Sequence, residues 1–140
     1  MPSKLHQSLL LWATRRMEAD GFRLVGYDGQ SEQGGVRNAL PRPFLLAGLR
    51  PDAWAVHSAS LVFAFAEAKS SHDIDTKHTR RQLQIFSAVK MRNTQIRCPL
   101  YIAVPNSSLV ILDYVLEDLK LSSNDNIIKL GLPDVLLRAA

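Results

Sequence analysis

Residues 50–71 form an apolar segment that carries a few charged residues able to do chemistry. The segment reads RPDAWAVHSASLVFAFAEAKSS, with Asp52 near its start and Glu67 and Lys69 at its end. Charged side chains are costly inside a sheet unless they are paired, solvated or bound to a metal. Their placement around an apolar stretch therefore indicates a site rather than an ordinary surface.

The segment predicts a hairpin with strands at about 51–57 and 61–69, joined by a turn at residues 58–60. With the turn centred there, Asp52 falls opposite Phe65 or Ala66. Because strand side chains alternate between faces, one of these two registers puts Asp52 on the face of Glu67 and Lys69. The opposite face is then almost entirely small, which predicts that a helix lies close against it. A shift of one residue would break this arrangement.

Two carboxylates at one end of a hairpin can hold a hard cation such as Mg²⁺, which prefers oxygen ligands and keeps several waters. A lysine two residues from one carboxylate can act on the attacking water or neutralise charge on a phosphate. These groups predict metal-assisted hydrolysis of a phosphodiester.

At these residues the sequence resembles the PD-(D/E)XK nuclease superfamily. Its pattern stands here as Pro51-Asp52 and then Glu67-Ala68-Lys69. The resemblance implies a restriction-endonuclease-like fold with an αβββαβ core and a Mg²⁺-dependent endonuclease activity on DNA. It implies that Asp52 and Glu67 ligate Mg²⁺ or Mn²⁺, that the Ala68 carbonyl is a further ligand, and that Lys69 positions the attacking water.

Two further positions follow from the same resemblance. Many members add an acid from the first helix, and Glu18 is the only acid there, although it lies late in that helix and a solvated role is the stronger expectation. Many also place a glutamine on the helix after the E-x-K strand. Gln82 fits better than Gln84, with an exposed helical glutamine as the equal alternative.

The stretch Gly48-Leu49-Arg50-Pro51-Asp52 looks like that of archaeal-type Holliday-junction resolvases and of small virus-type replication-repair nucleases. The chain is also too short for a separate sequence-reading domain. Both points favour cleavage directed by DNA structure. A homodimer is expected because cutting both strands is simplest with two sites. The alternatives are a small restriction-type endonuclease and a non-catalytic nucleic-acid-binding or assembly module that retains the fold.

The remaining periodicity predicts the elements that position these residues. It indicates a helix at 4–19, a strand at 22–27, a loop at 28–43 and a strand lead-in at 44–49 before the hairpin. After the hairpin it indicates a helix from 73–76 to about 91, a strand at 100–105, a helix from 106 to about 121 and an edge strand at 126–130. This order predicts an α/β three-layer sandwich, with a central mixed β-sheet flanked by helices, in one domain spanning 1–140.

Charge is distributed unevenly along the chain. The net charge is +4, and residues 76–112 contain no Asp or Glu but six Lys or Arg. Such a zone is typical of a phosphate-binding surface, although a solvated helix face is the even alternative. The candidate DNA-contacting residues are Lys77, Arg80 and Arg81 in this zone, with Arg37 and Arg42 in the preceding loop.

Two negative features bound the class of protein. Cys98 is the only cysteine, so no internal disulfide forms, which favours a reducing, cytoplasmic setting. No apolar run approaches the ~20 residues that span a bilayer, so no membrane partner is expected.

Overall fold

The computed structural model of the protein describes residues 3–29 and 40–138. In chain order these residues form α1 (Lys4–Ala19), β1 (Phe22–Tyr27), β2 (Ala53–His57), β3 (Phe63–Ala68), α2 (Lys77–Ser87), β4 (Leu100–Pro105), α3 (Leu109–Asp118), β5 (Ile127–Leu132) and α4 (Asp134–Arg138). A 3₁₀ turn, Asn106–Ser108, leads into α3. The predicted loop at 28–43, with Arg37, lies largely outside the described residues.

The strands of the described region make one mixed sheet in the order β1-β2-β3-β4-β5. The β1/β2 and β2/β3 pairs are antiparallel, and the β3/β4 and β4/β5 pairs are parallel. The parallel strand β4 is buried along its whole length, as its continuous apolar sequence LYIAVP predicts. The predicted fold class, α/β with a central mixed sheet between helices, is confirmed.

The two faces of the sheet bury different side chains because the strands alternate small and large residues. One face presents a row of alanines to α1, which contributes Leu9, Leu10, Ala13 and Met17 to the shared core. The alanines are Ala53, Ala55, Ala64, Ala66, Ala68 and Ala103. Small side chains let the helix approach closely, so the prediction of a helix over this face is confirmed.

The opposite face carries the bulkier residues and is covered by α2 and α3. Phe65, Leu100 and Ile102 of the sheet pack with Leu83 and Phe86 of α2. Thr76 caps α2, because its side chain accepts a hydrogen bond from the Thr79 amide at 3.0 Å. The sheet is therefore the middle of three layers.

The hairpin register differs from both of the predicted ones. Ala53 pairs with Ala66 and Trp54 with Phe65, so Asp52 comes opposite Glu67 rather than Phe65 or Ala66. The turn is longer than predicted because Leu61 adopts a left-handed backbone (φ 62°) and β3 begins only at Phe63. The predicted shared face of Asp52 and Glu67 survives, because the observed pairing lies two positions from the predicted pairing of Asp52 with Phe65 and so preserves side-chain alternation.

Several element boundaries also differ from the sequence-based ones. Helix α2 ends at Ser87 instead of continuing to about residue 91. The chain then folds back, and the backbones of Lys90 and Arg97 pair as an isolated antiparallel β-bridge. Residues 44–49 form a tight turn, with Ala47 at φ 51° and Gly48 at φ 80°, instead of a strand. Helix α4 was not predicted at all.

Among the described residues, no helix is both long enough and apolar enough to cross a membrane.

Candidate active site

Asp52 lies immediately before β2, at the end of the sheet where β3 finishes. Its Oδ2 atom accepts a hydrogen bond from the Ala68 amide at 2.9 Å and lies 3.2 Å from Nε2 of His6. The carboxylate is therefore fixed from two sides, by the backbone of β3 and by the first turn of α1.

Glu67 projects from β3 on the bulky face of the sheet and is almost wholly buried, at 1% exposure. Its Oε1 accepts a weak hydrogen bond from Gln82 Nε2 at 3.4 Å. Its Oε2 has no hydrogen-bond partner among the described residues, although Lys69 Nζ lies 3.9 Å away. A buried carboxylate oxygen without a partner is rare in folded proteins and calls for an explanation.

The two carboxylates influence each other's protonation. Burial, followed by the negative charge of Asp52, raises the pKa of Glu67 well above its ordinary value, and Lys69 offsets this only in part. Burial also acts to raise the pKa of Asp52, but the hydrogen bond and charge of His6, together with hydrogen bonds from Glu67 and the Ala68 amide, outweigh it and leave that pKa lowered. When the pair takes up a proton, these opposite shifts favour Glu67 over Asp52 as its site.

Lys69 and Gln82 complete the cluster. Lys69 Nζ donates to Gln82 Oε1 at 2.6 Å, and the Gln82 amide nitrogen faces Glu67. Gln82 is buried at 5% exposure because it shares the inner face of α2 with Leu83 and Phe86. The alternative of an exposed helical glutamine is therefore wrong, and four of the predicted site residues meet at one point.

His6 is the site residue that the sequence analysis missed. It lies on α1 three and four residues before Leu9 and Leu10, which places it on the buried face of that helix. Its Nδ1 atom is buried and has no hydrogen-bond partner among the described residues. A histidine continuing the apolar stripe of α1 was the signal available in the sequence.

Glu18 does not belong to this cluster. It is exposed near the end of α1, twelve residues beyond His6, which is a helical distance of roughly 18 Å. The expected solvated position is the one observed. The predicted role of the Ala68 carbonyl as a ligand stays a prediction, whereas its amide is already used by Asp52.

The basic residues are placed unequally. Arg80 is held by two acids, with Nε 2.8 Å from Asp75 and Nη1 2.5 Å from Asp118. Arg81 is exposed and, within the described part of the chain, donates one long hydrogen bond, 3.4 Å, to the Ala47 carbonyl. Residues 76–112 contain no acid, but the fold brings Asp75 and Asp118 next to Arg80.

The other candidate DNA contacts are also at the surface. Lys77 is exposed at the first position of α2. Arg42 is exposed and pairs with Asp28 at 3.3 Å. Arg37 lies outside the described residues, so its predicted contact with phosphates stays a prediction.

The donor set at the cluster suits a hard divalent cation. Two carboxylates lie together at the site, one of them with a buried oxygen that lacks a partner, and a cation would satisfy both features. Within residues 3–29 and 40–138, no three His, Cys, Asp or Glu side chains form a metal-binding group. Two carboxylates alone could hold only an ion that keeps several water ligands, as Mg²⁺ does. His6 contacts Asp52 Oδ2 at 3.2 Å.

No protein-family profile and no curated protein matches the sequence. Among solved structures, the chain is similar to the crystal structure of a repair endonuclease from Pyrococcus abyssi, with 13% sequence identity and a TM-score of 0.41. The similarity covers 95% of this chain and 48% of that one, so this chain spans about half the length of its neighbour.

Proposed function

We propose that the protein is a metal-dependent DNA endonuclease that hydrolyses phosphodiester bonds. The observation that carries the proposal is the buried Glu67 on the strand next to Asp52, with Lys69 Nζ 3.9 Å from the Glu67 oxygen that no described residue hydrogen-bonds. Two crowded carboxylates beside a lysine are unfavourable as a purely structural element, because one of them must hold a proton to remain buried. The same arrangement is favourable around a divalent cation and a phosphate.

Asp52 and Glu67 are the residues that would hold Mg²⁺ or Mn²⁺, with the Ala68 carbonyl as a backbone ligand. When bound, the ion would supply Lewis-acid polarisation of the phosphate and lower the pKa of water. His6 and the Ala68 amide both bind Oδ2 of Asp52, which leaves Oδ1 as the oxygen available to the ion.

Lys69 is the residue that would orient the attacking water. A lysine ammonium has three donors, and Gln82 Oε1 occupies one of them at 2.6 Å. The remaining two can donate to a water and to a phosphate oxygen. Gln82 is then a positioning residue, since it fixes the lysine on one side and Glu67 on the other.

The proposed substrate is DNA, cut according to its structure at junctions or branches. The support is a net charge of +4 and a set of exposed cations, Lys77 and Arg81, on the helix that also carries Gln82. A homodimer, with one site for each strand, is part of the proposal. A small restriction-type enzyme and a non-catalytic binding module are the alternatives.

The test is a cleavage panel of supercoiled plasmid, linear duplex, flap, splayed-arm and four-way-junction DNA in Mg²⁺. We expect nicking in Mg²⁺ or Mn²⁺, none in EDTA, and faster cleavage of branched than of linear DNA. Asp52→Asn, Glu67→Gln and Lys69→Ala should each abolish cleavage while the protein remains folded.

Asp113→Asn is the matched control, because Asp113 pairs with Lys129 at 2.5 Å on the surface and the change is equally conservative. It should cleave at the parental rate. Full Mg²⁺-dependent activity in Asp52→Asn or Glu67→Gln would remove the site assignment. DNA binding with no cleavage of any substrate by the parent would favour the binding module.

A further inference from the structure

A cavity of about 520 Å³ opens on the bulky face of the sheet, next to the first half of β3. Its apolar wall includes the side chains of Phe44, Phe63, Phe65 and Met91. The volume lies within the usual range for a small-molecule site. None of these residues takes part in the chemistry proposed above, so the cavity needs a separate explanation.

The aromatic rings at the cavity form a connected set. Phe44 contacts Trp54 with ring centres 4.9 Å apart and Phe65 at 6.2 Å, and Trp54 contacts Phe63 at 5.1 Å, all edge to face. Phe44 is 37% exposed, and Trp54 and Phe63 are half-buried. Accessible rings of this kind offer stacking surfaces to a flat, apolar ligand.

The rim of the cavity is positively charged. Lys90 and Arg92 line it, both are exposed, and neither takes part in an ion pair within the described part of the chain. They differ in this from Arg80, whose charge is balanced by two acids. The cavity therefore combines aromatic walls with an uncompensated positive rim, which is complementary to a flat ring that carries a phosphate.

The cavity lies on the same strand face as the carboxylates. Phe63, Phe65 and Glu67 alternate along β3 and so point to one side of the sheet. At about 3.3 Å per residue, the two phenylalanines are roughly 13 and 7 Å from Glu67. That separation corresponds to about two to four stacked nucleotides at 3.4 Å each.

We infer that the cavity binds one unpaired nucleobase of the DNA, with Lys90 and Arg92 on the adjacent phosphates. The inference rests on the proposed function in taking DNA as the ligand, and it adds a preference for an unpaired base a few nucleotides from the cleaved bond. Phe44 is the residue placed to stack on the base, because it is the most exposed ring of the cavity wall.

Binding is tested in a Glu67→Gln, Trp12→Phe background, which blocks cleavage and leaves Trp54 as the only tryptophan. The probes are a duplex with one extrahelical adenine, the same duplex fully paired, and a third with an abasic site in the extrahelical position. We expect the extrahelical adenine alone to change the Trp54 fluorescence. Phe44→Leu should weaken its binding by about 5- to 100-fold, the range for loss of one stacked base, and leave the paired duplex unaffected.

Phe44→Trp, measured by DNA binding alone, should retain the preference, because it keeps a stacking ring. Lys90→Gln with Arg92→Gln should weaken binding of the extrahelical probe more than Arg15→Gln with Arg23→Gln, a control with the same charge change at exposed positions elsewhere. The inference is overturned if Phe44→Leu binds the extrahelical probe as the parent does. It is also overturned if the abasic probe binds as tightly, or if an apolar peptide or laurate fills the cavity and DNA does not.

Cleavage in Mg²⁺ is measured in separate experiments with proteins that retain Glu67, because the binding assays use the Glu67→Gln background. An active parent that cuts within about four nucleotides of the extrahelical base, with that preference lost in Phe44→Leu, supports both proposals. An active parent that cuts without regard to the base overturns only the inference. A parent that binds the base through Phe44 but never cleaves overturns only the proposed function.

Discussion

The amide of Gln82 joins Lys69 to Glu67, with its oxygen 2.6 Å from Lys69 Nζ and its nitrogen 3.4 Å from Glu67 Oε1. One uncharged side chain thus contacts both the lysine and the carboxylate of the proposed site. It comes from α2, whereas both of its partners are on or directly after β3. The distance between α2 and β3 therefore helps to set the relative position of Lys69 and Glu67.

Replacing Gln82 by alanine should slow cleavage and leave the protein folded. Lys69 would lose its short hydrogen bond, and misplaced catalytic groups typically cost up to ~100-fold in rate, so we expect a roughly 10- to 100-fold loss in single-turnover rate at saturating Mg²⁺. The buried partners left unsatisfied should cost about 1–3 kcal/mol of unfolding free energy. Gln84→Ala, an exposed neighbour on α2, is the control, and an unchanged rate in Gln82→Ala would leave the glutamine a packing residue.

Replacing His6 by alanine should weaken the response to metal more than it changes DNA binding. The histidine holds Oδ2 of Asp52 at 3.2 Å, and groups that orient a metal ligand are worth roughly 10- to 100-fold in metal affinity. The measurement is the Mg²⁺ concentration for half-maximal cleavage, which should rise by about 10-fold or more. His6→Gln keeps a donor near the Nε2 position and should recover most of the loss, whereas equal defects in the two variants would indicate that only packing was lost.

The raised pKa of Glu67 makes a pH prediction for the metal-free protein. The folded state holds a proton on Glu67 at pH values where the unfolded chain has released it, so this residue favours folding less and less as pH rises from about 4.5 through the folded-state pKa. Urea unfolding in EDTA should therefore show parental stability falling over that window relative to Glu67→Gln. Asp52, with its lowered pKa, acts in the opposite sense and loses its contribution only as pH falls below 3.8.

If the difference in unfolding free energy between the parent and Glu67→Gln does not change with pH across this range, Glu67 does not hold the extra proton in the folded state. Mg²⁺ supplies a second check. If the proposed site holds Mg²⁺, the ion should raise the unfolding free energy of the parent with concentration and affect Glu67→Gln much less.

Arg81 and Arg80 should differ in their effect on DNA binding. Arg81→Ala should lower affinity for every sequence alike and reduce the log–log salt slope by roughly one, as expected for one lost phosphate contact. Arg80→Ala should leave the slope nearly unchanged, because Asp75 and Asp118 already occupy the guanidinium. Affinity against salt concentration in Ca²⁺ measures both, and an unchanged slope in Arg81→Ala would place the DNA path elsewhere.

Local periodicity was enough to predict the α/β class and, for one hairpin register, the shared face of Asp52, Glu67 and Lys69, whereas Gln82 was predicted from the family resemblance. Side chains alternate between the two faces along β3 whatever the conformation of the preceding turn. The face on which Glu67 lies was therefore predicted correctly although the turn was not. The turn itself was misjudged because Leu61 adopts a left-handed conformation that its residue type disfavours.

Contacts between distant parts of the chain could not be predicted in the same way. His6 reaches Asp52 across 46 positions and Arg80 reaches Asp118 across 38, and both depend on how the layers pack. The acid-free stretch therefore suggested a more basic surface around Arg80 than the folded chain presents.

The row of alanines under α1 also limits how large the side chains beneath that helix can be without disturbing the site. Ala66 and Ala68 are completely or almost completely buried against that helix, and they act as spacers that fix how far its first turn stands from the sheet. His6 is carried by that turn, so a change as small as Ala66→Val would displace the histidine from Asp52 without touching any group that meets the substrate. Mutational scans of such a protein would then register loss of activity along a stripe of residues that have no chemistry of their own.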